Sequence, residues 1–389
     1  MAMRLTGLWR GGFQLSIGSA LFFAATACNG NTITASHNGR QTFDPPFDVP
    51  GINTAGNARA PQQACSPTPP AIVKLDVNTR YKAGGAHDVV SAEAEARYKE
   101  AMAPIIAYMV DVTLSANRYI KSNGRNIGAA DCARSALATW AQANALSQVD
   151  GTAGRFKQST LLAGLALTFL QIRNAPTAAS GQADNHKIEG WLLGLAQDLR
   201  RYRDSAPLGG TARNNQLYWA GLAIGATGAA TGDADSFDFG MNALEDGVKS
   251  ITADGYLPEE LKRGRQALHY HVYSLQPLML LAELAQRNGR PAYDQNDRAL
   301  HRLVRTVLAG AKDPSLFGNK VGTVQVPVIN DKKPGLPPAL WGWLAVYSAR
   351  FGVPDGWQDL LANSPRLSSA ETGGDEITLY MPRKVHYQR

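Results

Sequence analysis

Only three cysteines occur in the 389 residues, and no C-x-x-C pair or zinc-type spacing joins them, which argues against thiol redox chemistry and a structural zinc site. A Walker A loop, a dinucleotide-type glycine motif and a G-x-S-x-G elbow are all missing, so phosphoryl transfer, hydride transfer and serine-esterase chemistry find no support. Strand-like alternation is scarce; 322–329 and 376–381 are the best candidates. Charged residues make up only 18% of the chain, yet the formal net charge is +7. No basic block or basic-aromatic interleaving accompanies that excess. Nucleic acid is therefore a poor fit, and a polyanionic substrate gathered by a basic cleft a better one. The hydrophobic content of 44% describes a soluble globular protein with a substantial core.

Arg4 and Arg10 flank the start, and a short apolar stretch from Phe13 to Ala27 ends in Ala25-Thr26-Ala27-Cys28. Charge, apolar core and small residues in that order form the pattern of an export signal, too short for a comfortable membrane span. Residues 1–28 are thus expected to be an export leader. Cys28 stands where a bacterial lipoprotein carries its lipid, which makes the product periplasmic or secreted, or lipid-anchored through Cys28. Cys65 and Cys132 remain as an even pair for an oxidising compartment, and a bond between them would tie an extended N-terminal arm to the first helical hairpin.

Residues 29–64 are rich in Asn, Thr, Gly and Pro and read as a disordered linker running into that arm. From Ala92 onward the text becomes helical. Candidate helices cover 91–120, 129–147, 155–173, 185–203, 213–231, 234–250, 264–288, 294–311, 336–351 and 354–362, with Gly and Pro punctuation between them. Successive Ala-rich amphipathic helices with short connections indicate stacked helical hairpins. Since no fixed repeat period appears, the expected fold is all-α, an incomplete α/α toroid spanning 65–382 and followed by a basic tail at 383–389.

Two stretches carry the chemistry. Arg213-Asn214-Asn215-Gln216-Leu217-Tyr218-Trp219 follows a Gly-containing loop and opens a helix, where amides and free backbone N–H groups can face an anion. An asparagine there can equally be a plain helix cap, and Tyr218 and Trp219 plain core aromatics rather than sugar-stacking rings. In the second stretch, Gln266, His269, Tyr270 and Tyr273 fall at i, i+3, i+4 and i+7, one polar and phenolic stripe on a helix. Eliminating across a 4-linked uronate requires neutralising a carboxylate, taking the C5 proton and protonating the departing O4. Where proton and leaving oxygen share a face, as in β-mannuronate and β-glucuronate, the one phenol of Tyr273 can perform both transfers, and Arg265 or Arg263 can favour its phenolate. His269 and His271, two apart, point to different faces and make a poor metal pair, and no other ligand cluster calls for a cation. Glu259 and Glu260 sit on a turn or helix start without a partner arranged for glycoside hydrolysis.

From about Cys65 to Met381 the chain resembles the alginate lyase family of bacterial polysaccharide lyases. The resemblance rests on Thr79-Arg80-Tyr81-Lys82, on Asp131-Cys132-Ala133 through Trp140, and on the Asn-Asn motif with Tyr-Trp. Gly255-Tyr256-Leu257-Pro258 with Glu260-Leu261-Lys262, Ala267-Leu268 with Tyr270-His271 and Tyr273, and Asn363-Ser364-Pro365-Arg366-Leu367 follow in order. It implies an α/α toroid that cleaves polyuronate by β-elimination without a redox cofactor. Asn215 would help neutralise the carboxylate and Tyr273 would be the catalytic phenol. Arg80 or Lys82 would be the base of a lid contacting substrate. Three departures stand out. The family's Asn-Asn-His reads Asn214-Asn215-Gln216, its Gln-Arg before Ala-Leu reads Arg265-Gln266, and its Arg-Lys-Trp reads Gln158-Ser159-Thr160.

The expected catalytic set is therefore Tyr273, Asn215, Gln216 and Arg265. Arg80, Lys82, Asn214, Trp219, Arg263, Gln266, His269 and Tyr270 are expected to bind substrate. The partner is an acidic polysaccharide, poly-mannuronate or β-1,4-glucuronan, acted on by a monomer that needs no cofactor or metal. The alternatives are a relative that binds such a polymer without cutting it, and an α/α-barrel glycoside hydrolase, which needs two opposed carboxylates.

Overall fold

Thirteen helices and two minimal sheets appear in a computed structural model that describes residues 40–50, 64–82, 89–205, 209–330 and 334–381. The leader at 1–28, with Cys28, and the tail at 383–389 lie outside the described residues. The helices are α1 (Ala92–Lys121), α2 (Ile127–Gln142), α3 (Gly151–Ile172), α4 (Ala179–Ser205), α5 (Asn215–Thr231), α6 (Ala234–Ser250) and α7 (Pro258–Leu261). They continue with α8 (Ala267–Arg287), α9 (Gln295–Lys312), α10 (Ser315–Val321), α11 (Gly342–Phe351), α12 (Gln358–Ala362) and α13 (Glu376–Tyr380).

The hydrophobic pattern assigns the layers. In α5 every residue from Leu217 to Thr231 is buried, in α3 every residue from Gln158 to Ile172, and in α8 every residue from Ser274 to Ala285. Helices covered on all sides belong to an inner ring. Around them α2, α4, α6 and α9 bury one face only. The pairs α1–α2, α3–α4, α5–α6 and α8–α9 pack as hairpins, and α5 also touches α3, α4 and α8. This is the expected α/α toroid. Close approach of α5 to α6 requires glycine: a Cβ on Gly225 would lie 2.9 Å from the Cα of Gly240.

Both proposed strands fail. Residues 376–380 form helix α13, and 322–329 contain no strand. The strands that do form are two residues each: β1 (Lys74–Leu75) pairs in parallel with β2 (Gln148–Val149), and β3 (Ser368–Ser369) antiparallel with β4 (Gly374–Asp375). These are local staples between chain segments, too short to show an alternating pattern.

The linker reading also needs correction over 40–50. Phe43 and Phe47 are buried, Phe43 stacking on Phe237 at 4.0 Å and Phe47 meeting Tyr380 edge-on at 5.9 Å. Asp44 exchanges two hydrogen bonds with Asn288, and Arg173 donates to the Phe43 carbonyl. Two phenylalanines in otherwise polar text were enough to anchor the segment. Further on, Cys65 and Cys132 form a disulfide with Cα atoms 5.3 Å apart, fixing the arm to α2.

Candidate active site

The α5 N-terminus is set by a capping bond: Asn214 accepts from the Gln216 N–H at 2.9 Å. Asn215 follows, buried, and points inward. Its backbone N–H and side-chain amide both donate to Glu260 Oε1, at 2.7 and 2.9 Å, and the amide also reaches Oε2 at 3.1 Å. Glu260 is fully buried on α7 and additionally meets the Ser274 hydroxyl at 3.4 Å and Arg263 Nε at 3.8 Å. Burial raises its carboxyl pKa, and the Asn215 bonds act against that rise. A glutamate that read as a turn carboxylate is thus the brace of the asparagine motif. Its only sequence signal was its position one turn after Leu257 and directly before Leu261.

Fully buried His271 secures α7 to α8. Leu257 N–H donates to its Nε2 at 2.8 Å, and its Nδ1 lies 2.7 Å from the Ala267 carbonyl oxygen. The ring is therefore the neutral Nδ1–H tautomer. Burial lowers its pKa to about 4. The two histidines do face apart as expected, since His269 lies on the cleft side with Tyr273.

Around Tyr273 the aromatic groups converge. His269 stacks parallel to its ring at 6.4 Å, Tyr270 meets it edge-on at 6.3 Å, Phe156 of α3 lies at 6.4 Å and Trp219 of α5 at 5.3 Å. His269 is held neutral, its pKa pushed down to about 4 by burial and then by Arg80. The Tyr270 hydroxyl shares a 2.7 Å hydrogen bond with Tyr81, and Arg263 lies over the Tyr270 ring at 4.5 Å. Tyr81 belongs to a small antiparallel bridge with Val90, so the arm reaches the cleft through Arg80 and Tyr81. Arg80 sits over the Tyr98 ring at 4.9 Å and pairs with Glu95 at 3.4 Å. Lys82, exposed, makes a backbone bond to Val89.

Three expectations change here. Trp219 is 0% exposed and is a core ring behind Tyr273 rather than a sugar platform. Arg265 is exposed on a 3-10 turn, and no hydrogen bond, ion pair or ring contact joins its side chain to the cluster; Arg263 is the guanidinium that does. The Tyr273 phenol is not poised as phenolate: burial first, then Glu371, Tyr270 and Tyr98, hold its pKa well above the usual phenol value, with Arg80 opposing. Gln216 and Gln266 are half-buried at the starts of α5 and α8. Glu371 and Tyr98, which act on the phenol, and Lys157 and Thr160, which hold Glu371, were missed. Glu371 arrives from almost 100 residues downstream in the chain, beyond any local spacing signal.

Among the described residues no three His, Cys, Asp or Glu side chains gather as metal ligands. No described helix is long and apolar enough to cross a membrane.

Paired helical hairpins that gather phenols, imidazole and guanidinium groups around Tyr273 form an α/α toroid with a candidate site for an acidic sugar, the architecture of a polysaccharide lyase. The family model "Alginate lyase" matches residues 76–317. A polysaccharide lyase of Stenotrophomonas maltophilia is 32% identical over 319 residues, covering 80% of this chain and 89% of that protein. An alginate lyase of Pseudomonas fluorescens is 34% identical over 255 residues, 65% of this chain and 67% of that protein. In three dimensions, alginate lyase A1-III from Sphingomonas species A1 matches with a TM-score of 0.67 at 23% identity, over 82% of this chain and 86% of that one. The chain belongs to the alginate lyase family and is a polysaccharide lyase.

Proposed function

We propose that the enzyme cleaves a β-1,4-linked polyuronate, poly-mannuronate or β-1,4-glucuronan, by syn β-elimination at Tyr273. The observation that carries this reading is the placement of that phenol: half-buried, between the neutral His269 and the braced Asn215 helix start, with Arg80 and Arg263 nearby. Ionised Tyr273 removes the C5 proton. Electrons from the C5–H bond form C4=C5 as the C4–O4 bond breaks, and O4 leaves with the proton from the same hydroxyl. With His269 and Gln216 uncharged in the cleft, no imidazolium competes for the acid role. The Gln216 amide makes no hydrogen bond among the described residues and is free to donate to the sugar carboxylate. The two candidate polymers differ only at C2, and the alginate lyase relatives support the first.

Glu260 and Glu371 do not form the opposed pair that glycoside hydrolysis requires, because one is bonded to Asn215 and the other to Lys157. Export to an oxidising compartment belongs to the same reading and is supported by the Cys65–Cys132 bond. The test is incubation with poly-mannuronate, poly-guluronate and β-1,4-glucuronan while following ultraviolet absorbance of the conjugated C4=C5 bond. Growth on one of the two β-linked polymers is expected. No unsaturated product on any of them would leave a protein that only binds such chains.

A further inference from the structure

Removing a proton beside a carboxylate demands a positive or hydrogen-bonding partner for that carboxylate, since the developing charge spreads onto it. The positions expected to supply one are largely committed elsewhere. Both amide contacts of Asn215 go to Glu260. Arg265 has no contact with the cluster, and Arg263 lies over Tyr270 with Glu260 beside it. Gln216 and Gln266 carry no charge.

A cation does approach from the other wall. Lys157 projects from α3, one residue after Phe156, whose ring meets Tyr273. Its Nζ lies 2.6 Å from Glu371 Oε1 and 5.7 Å from the centroid of Tyr98, the ring that also carries Arg80. Thr160, one turn along α3, donates to the same Glu371 oxygen at 2.9 Å, which fixes the carboxylate and through it the ammonium. The Lys157 side chain is 13% exposed and that of Glu371 26%, so the pair is poorly hydrated yet open on one side. Glu371 lies on the 3-10 turn Ala370–Thr372, which packs against α8 as well as α3, and its charge acts on the Tyr273 hydroxyl more than that of any other group. An ammonium offers three donors, and its field is strong where water is largely excluded.

We infer that Lys157 is the catalytic residue that takes the uronate carboxylate at the bond being broken, with Glu371 as its resident counter-ion. The assignment rests on the lyase reading above. It supplies from α3 the charge that the helix starts of α5 and α8, with Gln216 and Gln266, do not.

The test compares wild type, Lys157→Met, Lys157→Arg and the double variant Lys157→Met/Glu371→Gln on whichever polyuronate the wild type cleaves, and on its methyl ester. The double variant removes both charges together and so leaves no unpaired buried carboxylate. Both Met variants should lose roughly 100-fold in kcat on the acid polymer, the scale of one lost electrostatic contact. Lys157→Arg, which keeps the charge in a different shape, should recover on the order of tenfold of it. The ester needs no charge neutralisation, so the acid-to-ester rate ratio should collapse in the Met variants. Unchanged kinetics on the acid, no recovery with arginine, or an equal loss on acid and ester overturns the assignment. A wild type without unsaturated product overturns the lyase reading, and this assignment with it.

Discussion

Acid should loosen this enzyme at His271. That imidazole accepts from Leu257 N–H and donates to the Ala267 carbonyl, so a second proton on Nε2 would set N–H against N–H in the core. Its folded pKa of about 4 lies below the unfolded value of 6.5. The unfolded chain therefore binds the proton first, and the stabilisation is complete only above the unfolded value and is lost as pH falls through the folded one. The full span corresponds to about 3 kcal/mol, and most of it, about 2 kcal/mol, is lost between about pH 7 and pH 5. His271→Gln keeps an acceptor for Leu257 but cannot gain the proton. Urea unfolding followed by tryptophan fluorescence, at both pH values and for both proteins, isolates the difference, because His269 titrates alike in each. The variant's loss of stability on acidification should be smaller by about 2 kcal/mol. Equal losses in the two proteins would refute the assigned tautomer. Because Leu257 leads into α7, the same proton also slackens the Glu260 brace under Asn215.

Tyr273→Phe should lower kcat by about a thousandfold or more while leaving oligosaccharide binding near wild type, as measured by calorimetry; near-normal turnover would remove the phenol from the mechanism. Because the Tyr273 pKa is raised, its phenolate is scarce near neutrality, and wild-type kcat should climb with pH through the mildly alkaline range. Glu260→Gln turns an amide towards the Asn215 amide, and should cost on the order of 1–3 kcal/mol in denaturant titrations as well as reducing kcat. Cys65→Ser/Cys132→Ser opens a loop spanning a sequence separation of 67 and should lower stability by about 4 kcal/mol, read as a drop in the unfolding midpoint.

Helix order, the hairpin architecture and the Cys65–Cys132 pairing were legible in the chain because each is written locally, in apolar periodicity, turn residues and cysteine number. The stripe of His269, Tyr270 and Tyr273 was legible for the same reason: the backbone of α8 fixes which side chains share a face. Tertiary structure alone decided how those faces are used. It buried Trp219 behind the phenol, committed Asn215 to Glu260, chose Arg263 over Arg265, and brought Lys157 and Glu371 together. Charge state and solvent access depend on groups that are distant in sequence. A helical period of 3.6 residues records which residues lie side by side on one helix, but not what the next helix presses against them.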